Sequence, residues 1–288
     1  MIIDSHAHYT HNSFLNTFRY LTHNDTGYAI EEGGRETILQ QMQQSGIPYC
    51  IEPGISTDSC QRALELAKAY PGRVFAAMGV HPTRCINEKW KNRKKLAAFS
   101  KIPGVIAIGE CGLDYHLDRE KQHRLLQHLW FLYQLNLACR LKKPVILHVR
   151  MAHRDMLRIL KWHPARKLGG VVHCFTGNWE LAQQYLKLGY HIGIGGTLLQ
   201  TENRSKDLQE AVQHIPLDRI LLETDAPFIH PDCGDDLPKK QLRKIRNTSL
   251  ILPQVAARIA QLKGISPQAV EDACTANTIS LFRLPITP

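Results

Sequence analysis

The stretch Pro144-Val-Ile-Leu-His148 shows the pattern on which the fold depends, a short apolar run that ends in a histidine. Similar runs rich in Val, Ile and Leu recur along the chain, and with this one they occupy residues 1–4, 48–53, 74–80, 104–109, 144–148, 170–173, 190–195 and 219–223. The runs are nearly continuous in apolar residues and do not alternate with polar ones. Such runs are typical of strands that are covered on both faces in a parallel sheet.

Segments with helical spacing lie between these runs, at residues 35–44, 57–70, 88–101, 119–142, 153–162, 178–188, 205–214, 250–263 and 267–275, with a last turn through Phe282. In the segment 119–142, the spacing predicts a buried face marked by Leu125, Leu129, Leu132 and Leu135. Alternating strands and helices in 288 residues predict an α/β fold of the (β/α)8 barrel type. An open doubly wound sheet would carry a glycine-rich turn after the first strand, where this chain has His6-Ala-His8.

The chain shows no internal repeat, low-complexity tract or linker, so we expect a single domain over residues 1–288. Two long polar connections, at residues 10–34 and 230–249, follow predicted strands. In a barrel these connections lie at the carboxyl ends of the strands, which is the face where substrates bind.

Composition narrows the functional classes. Hydrophobic residues make up 43% and charged residues 22%, which excludes a disordered chain. No apolar stretch approaches the ~18 residues of a membrane helix, and the amino terminus lacks the pattern of a secretory signal. The eight cysteines form no closely spaced pair, so we expect reduced thiols and a cytoplasmic protein without an obligate protein partner. A net charge of +10 favours polyanions such as nucleic acid as partners.

Histidines and carboxylates stand where the predicted strands end: His6 and His8, His81, Glu110, His148, His173, and Glu223 with Asp225. The carboxyl ends of parallel barrel strands meet at one mouth, so these side chains should converge. Imidazole nitrogens and carboxylate oxygens are the donors that divalent metal ions need. His6 and His8 alone also fit an ordinary polar loop, and the recurrence at successive strands is what favours a metal site.

The same residues lie in motifs that follow one another in a characteristic order: Asp4-Ser-His6-Ala-His8, Gly79-Val-His81-Pro82, Gly109-Glu110-Cys-Gly112-Leu113-Asp114-Tyr115, Pro144-Val-Ile-Leu-His148-Val-Arg150, His173-Cys-Phe175-Thr-Gly177 and Leu222-Glu223-Thr224-Asp225-Ala-Pro227. This order resembles that of the TatD family of metal-dependent deoxyribonucleases, and the similarity runs from residue 1 to about residue 283. The resemblance implies a TIM barrel, divalent metal ions and exonuclease-like hydrolysis of phosphodiester bonds in DNA.

The resemblance also implies roles for individual residues. His6, His8 and Asp225 would hold one ion, His148 and His173 a second, and Glu110 would bridge the two. We therefore expect two divalent ions per chain, with Mg, Mn and Zn all compatible with the donors. Asp225 is the candidate to accept a proton from the attacking water, although it also fits a role as a ligand alone.

Other residues near these motifs are candidates for substrate contact or for orienting the ligands. Arg150 is placed to bind phosphate through its two-pronged guanidinium, or pairs with an acid at the surface. His81 contacts phosphate or packs under the first long connection. Glu223 and Asp114 are candidates to orient a ligand histidine, and Asp114 equally fits a cap on the following turn. Arg246 and Asn247 complete the predicted substrate contacts.

Two segments depart from the family pattern. An acidic residue usually follows the first histidine pair, where this chain has Tyr9-Thr10-His11, and the late motif Arg-Asn-Glu-Pro is replaced by Arg246-Asn247-Thr248-Ser249. We expect these departures to touch substrate and not the metal ions. They leave two alternatives to a nuclease: a hydrolase of the same fold acting on a small ester, amide or lactone, and a non-catalytic nucleic-acid-binding barrel.

Overall fold

The computed structural model describes residues 1–24, 27–116, 122–233 and 244–286. Its central element is a parallel sheet of eight strands. Strands are numbered in chain order, and β2, β3 and β11 lie outside this sheet. The eight strands of the sheet are β1 (Ile3–Asp4), β4 (Tyr49–Pro53), β5 (Val74–Met78), β6 (Val105–Asp114), β7 (Val145–Arg150), β8 (Gly170–Val172), β9 (His191–Ile194) and β10 (Ile220–Leu222). Each strand pairs in parallel with the next one in this order.

The first and last strands of the sheet close the circle. The Ser5 N–H donates to the Leu222 carbonyl at 2.9 Å, and the Asp225 N–H donates to the His6 carbonyl at 2.9 Å. The His8 N–H then donates to the Ala226 carbonyl at 2.8 Å. These bonds join β1 and β10 just beyond the ends of the strands and confirm the predicted (β/α)8 barrel.

Helices connect the strands on the outside of the barrel: α1 (Arg35–Gln44), α2 (Thr57–Ala69), α3 (Arg93–Ser100), α4 (Arg124–Leu141), α5 (His153–Trp162), α6 (Trp179–Lys187), α7 (Glu202–His214), α8 (Leu252–Lys263) and α9 (Pro267–Phe282). The predicted break after residue 275 is absent, and α9 is continuous. The predicted start of the segment 119–142 lies partly outside the described residues. Within the described ranges, no helix combines the length and the apolar character needed to span a bilayer.

The buried face of α4 differs from the prediction. Leu135 is buried as expected, but Leu125 is 74% exposed, and Leu129 and Leu132 are exposed as well. The helix instead buries Trp130 and Phe131, together with the glutamines Gln127 and Gln134. Gln127 binds the backbone of Asp114 and Gln134 binds the backbone of Val80, so two buried amides fix the rotation of the helix about its axis.

The two long connections form a second, smaller sheet. Within the first lies a hairpin of β2 (Phe18–Asn24) and β3 (Gly27–Gly33), and the second contributes β11 (Ile245–Arg246), which pairs in parallel with β2. Residues 234–243 of the second connection lie outside the described residues. The polar composition predicted loops here, yet Phe18, Tyr20 and Leu21 are buried and anchor the hairpin to the barrel.

Candidate metal centre

The predicted donors come from five barrel strands or from the residues that follow them. His6 and His8 follow β1, His173 follows β8, and Asp225 follows β10, whereas His148 lies within β7. Glu110 was expected after its strand, but β6 continues past it to Asp114. The structure brings all six donors together, because they belong to groups whose ligand atoms lie within 4.8 Å of one another.

A bulge in β6 aims Glu110 at the mouth of the barrel. Ile108 pairs with Val145 and Cys111 pairs with Leu147, so β6 has one residue more than β7 over this interval. Such an insertion redirects a side chain that regular pleating would place elsewhere. Gly79, which directly follows β5, leaves room for the backbone of this bulge, since a Cβ there would lie 2.5 Å from the Glu110 carbonyl oxygen.

The first donor set consists of His6 Nε2, His8 Nε2, Asp225 Oδ1 and Glu110 Oε2. The two imidazole nitrogens are 3.1 Å apart. His6 Nε2 lies 3.7 Å from Asp225 Oδ1 and 3.6 Å from Glu110 Oε2, and the same distances from His8 Nε2 are 3.4 and 3.5 Å. A tetrahedral ion with ligands at about 2.1 Å separates its donors by about 3.4 Å. The distances from the two imidazole nitrogens therefore fit one divalent ion held by His6, His8 and Asp225, with Glu110 Oε2 beside both nitrogens.

The second donor set surrounds the other oxygen of Glu110. Glu110 Oε1 lies 2.7 Å from His173 Nε2, 2.9 Å from His148 Nδ1 and 3.3 Å from His81 Nε2. The donor nitrogens of His148 and His173 are 3.3 Å apart. Glu110 thus presents one oxygen to each donor set. His81, predicted to contact substrate or to pack beneath a loop, lies among the donors of the second set.

The charges of the cluster balance only if protons or cations sit among the donors. Burial raises the pKa of Glu110, but His81 and His173 outweigh it and hold that pKa well below its usual range. Burial lowers the pKa of His148, yet hydrogen bonds to Asp114 and Glu110 raise it to about 9. In the absence of metal, these pKa shifts favour a protonated His148 beside an ionised Glu110. Dications would take the place of those protons, and the residues present fit such ions.

Acidic side chains lie behind two of the donor histidines, and one of them forms a hydrogen bond to its histidine. Asp114 Oδ2 lies 3.0 Å from His148 Nε2, and Asp114 Oδ1 accepts a bond of 2.9 Å from the His116 N–H, so Asp114 both orients a donor and caps the following turn. Glu223 Oε1 lies 3.8 Å from His173 Nδ1 and accepts from the Cys174 N–H. Burial raises the pKa of Glu223 to about 8.

Two buried carboxylates that the sequence did not single out for a role fix the backbone around His6 and His8. Asp4 Oδ1 accepts from the N–H groups of His6 and Thr224, each at 3.1 Å. Glu52 accepts from the Tyr9 N–H at 2.6 Å and from the Thr10 hydroxyl at 2.6 Å. An acid inside the apolar run Tyr49-Cys-Ile-Glu-Pro53 was the only signal for Glu52.

The predicted substrate contacts divide into two groups. Arg150 is exposed at the end of β7, and Arg246 is half-buried in β11, beside β2. The prediction for Asn247 is wrong, because this residue is fully buried and its amide donates to the carbonyls of Thr224 and Ile229 at 3.2 and 3.1 Å. Its role is to hold the segment after β10 in place.

The altered residues of the late motif are also not at a substrate surface. Ser249 is fully buried, and its hydroxyl donates to Asp4 Oδ2 at 2.6 Å. Thr248 is fully buried too, and its hydroxyl oxygen caps the following turn. The expectation that residues 248 and 249 touch substrate is therefore wrong, because the chain turns inward directly after Arg246.

A (β/α)8 barrel that gathers histidines and carboxylates into two donor sets at the carboxyl ends of its strands is a metal-dependent hydrolase. The comparison with known families is more specific. The model of the TatD related DNase family matches residues 3–283, and the chain belongs to that family. The resemblance predicted from the ordered motifs is confirmed.

Relatives match over nearly their whole length. The chain is 37% identical over 252 residues to a protein of Erwinia billingiae named 3'-5' ssDNA/RNA exonuclease TatD, covering 87% of this chain and 94% of that one. It is 32% identical to the uncharacterized metal-dependent hydrolase YabD of Bacillus subtilis, covering 99% and 100%. The crystal structure of the TatD homologue YJJV from Escherichia coli superimposes with a TM-score of 0.83 at 29% identity, covering 99% of this chain and 98% of that one.

Proposed function

We propose that the protein is a deoxyribonuclease that removes nucleotides from single-stranded DNA with the help of two divalent ions. The observation that carries the proposal is the position of Glu110, which presents one carboxylate oxygen to each of two donor sets. Two adjacent cations suit a substrate with an anionic phosphodiester, because both the attacking and the leaving oxygen develop negative charge. A net charge of +10 favours a polyanionic substrate.

The proposed roles follow from the positions of the side chains. When bound, the ions supply a water of lowered pKa and neutralise charge on the phosphate. His6, His8 and Asp225 would hold the first ion, His148 and His173 would hold the second, and Glu110 would offer one carboxylate oxygen to each. The Asp225 side chain is 17% exposed against 3% for Glu110, so Asp225 is the acid with an oxygen open to the mouth. We assign to it the proton of the attacking water.

Arg150 and His81 are the proposed contacts of the phosphate. Arg150 lies two residues beyond His148 on β7, so its side chain starts on the same face of the strand. His81 Nε2 lies 3.3 Å from Glu110 Oε1, and its Nδ1 accepts from the Thr83 N–H at 3.1 Å, which leaves Nε2 directed at the donors. Within residues 1–24, 27–116, 122–233 and 244–286, we find no structural feature that favours a small-molecule substrate over DNA.

The test is a cleavage assay on protein stripped of metal and refilled with Mg, Mn or Zn in turn. We expect end-labelled single-stranded DNA to be shortened, and we expect the rate to fall with increasing salt because phosphate contacts release counterions. Glu110→Gln, which keeps the shape of the side chain, serves as the inactive control. Intact single- and double-stranded DNA with all three metals, together with turnover of a small ester or amide, would contradict the proposal.

A further inference from the structure

An aromatic side chain lies uncovered beside the first donor set. Phe228 is 45% exposed, although it is only three residues beyond Asp225. Its N–H donates to the Asp225 carbonyl at 2.9 Å, so a tight turn fixes the distance between the two side chains. Full burial of a phenylalanine side chain stabilises a protein by about 1.5–3 kcal/mol. Phe228 does not contribute this full stabilisation in the free protein, because its side chain is only partly buried.

Two imidazoles define the surroundings of this ring. The ring centroid of Phe228 lies 5.3 Å from that of His11, with the planes at 72°, and 6.4 Å from that of His8, at 65°. Ser13 holds His11 in place through a contact of 2.9 Å between its hydroxyl and His11 Nδ1. Both imidazoles contact the phenyl ring in edge-to-face geometry. Neither imidazole is stacked on the ring, and nearly half of the side chain remains free.

From this geometry we infer that Phe228 is a stacking platform for a nucleobase of the nucleotides that flank the scissile phosphodiester. The inference rests on the proposed function. In a DNA strand whose phosphate lies at the donors His8 and Asp225, the bases on either side are attached to the adjoining sugars and lie close to these donors. The Phe228 ring contacts the His8 ring, and Phe228 follows Asp225 within one tight turn. Stacking on an aromatic ring binds any base, because every base has a π face. The platform would therefore serve an enzyme that degrades DNA without regard to sequence.

The chain offers a matched control for an exposed aromatic residue. Trp162 is 79% exposed, and it is the last residue of α5. That helix begins soon after the carboxyl end of β7, and its ten residues carry Trp162 about 15 Å along the outside of the barrel, away from the mouth. Trp162 shares the exposure of Phe228 but not its position beside the donors.

The experiment compares two short substrates with the same phosphates. One is the trinucleotide of thymidylate, in which every phosphodiester is flanked by bases. The other is its analogue without any of the three bases, in which no phosphodiester is flanked by a base. We expect wild-type protein, loaded with the metal that best supports cleavage, to prefer the first substrate. Phe228→Ala should lower kcat/KM for it roughly five- to fifty-fold and leave the abasic substrate unchanged. Phe228→Trp should retain the preference, and Trp162→Ala should resemble wild type.

Three results would overturn the inference, and they are distinguishable. Equal turnover of both substrates by wild-type protein refutes the platform and leaves the proposed nuclease intact. An equal loss on both substrates in Phe228→Ala indicates that the ring only supports His8 or His11, which also refutes the platform. Hydrolysis of neither substrate by wild-type protein refutes the proposed function, and the platform with it.

Discussion

The hydroxyl of Tyr9 lies 2.7 Å from Ser249 Oγ, and it accepts a bond of 3.0 Å from the Ser249 N–H. Because the Ser249 hydroxyl donates its single hydrogen to Asp4, the Tyr9 hydroxyl donates to Ser249. Tyr9 and Ser249 are 240 positions apart and belong to the two segments that depart from the family pattern. Tyr9 and Ser249 therefore join the two departures through an interior hydrogen-bonded unit behind His6 and His8.

Tyr9→Phe should destabilise the protein by about 1–3 kcal/mol, because it leaves the buried Ser249 N–H without its partner. Urea unfolding at a fixed metal concentration measures the loss. Tyr190→Phe is the matched control, since Tyr190 is also fully buried but its hydroxyl has no hydrogen-bond partner among the residues that the structure describes. In the double variant with Ser249→Ala the two losses should not add. Equal, small effects of Tyr9→Phe and Tyr190→Phe would contradict this account.

Glu110→Gln should lower the metal content to one ion or fewer per chain and reduce DNA cleavage at least about a hundred-fold. The amide keeps the shape of the side chain but removes the negative charge that both donor sets share. Elemental analysis after gel filtration gives the metal content. The control is Glu65→Gln, on the exposed surface of α2. Near wild-type turnover in Glu110→Gln would exclude a bridging role.

Asp114→Ala should weaken metal binding about 10- to 100-fold, because His148 loses the contact at Nε2 that fixes its ring. Titration of the metal-free protein measures the affinity, and thermal unfolding of the same metal-free protein reports any structural damage. Asp114→Asn should recover part of the affinity, since its amide oxygen still accepts from Nε2–H. Equal affinities for wild type and Asp114→Ala would show that the contact at 3.0 Å does not orient the donor.

Arg150→Ala and Arg246→Ala should each raise the KM for single-stranded DNA without changing the metal content. Each lost phosphate contact should also flatten the plot of log affinity against log salt by about 0.7. Lys187→Ala controls for the loss of a positive charge, because Lys187 is exposed at the end of α6, far from the mouth. A salt dependence that is unchanged in both arginine variants would place the DNA elsewhere on the protein.

The barrel and the donors were predictable because both depend on local pattern. A strand buried on both faces must be apolar throughout, as in the run that ends at His148, and the carboxyl ends of parallel strands meet. The resemblance to the family added the division of the donors between two ions. The bulge that directs Glu110 toward the mouth could not be predicted from the sequence. A strand with one extra residue has the same apolar pattern as a regular strand.

The predictions for α4 and for Asn247 were wrong because tertiary contacts, which the sequence does not show, determine which side chains are buried. The leucine spacing on α4 suggested burial of Leu125, but the amides of Gln127 and Gln134 have backbone partners that only the folded barrel supplies. The position of Asn247 directly after Arg246 suggested a contact with substrate. In the structure, the Asn247 side chain instead donates to the carbonyls of Thr224 and Ile229. A buried polar residue that binds backbone looks, in sequence, the same as one that binds substrate.

The seam between β1 and β10 has a consequence for the newly made chain. His6 and His8 leave the ribosome early, whereas Asp225, which completes their donor set, follows roughly 10 to 40 seconds later at ordinary rates of synthesis. Until then the barrel has no last strand to join its first, and no ion can be held by three of these side chains. A chain interrupted before Asp225 therefore lacks the third side chain of the group His6, His8 and Asp225, and this group is complete only when the barrel closes.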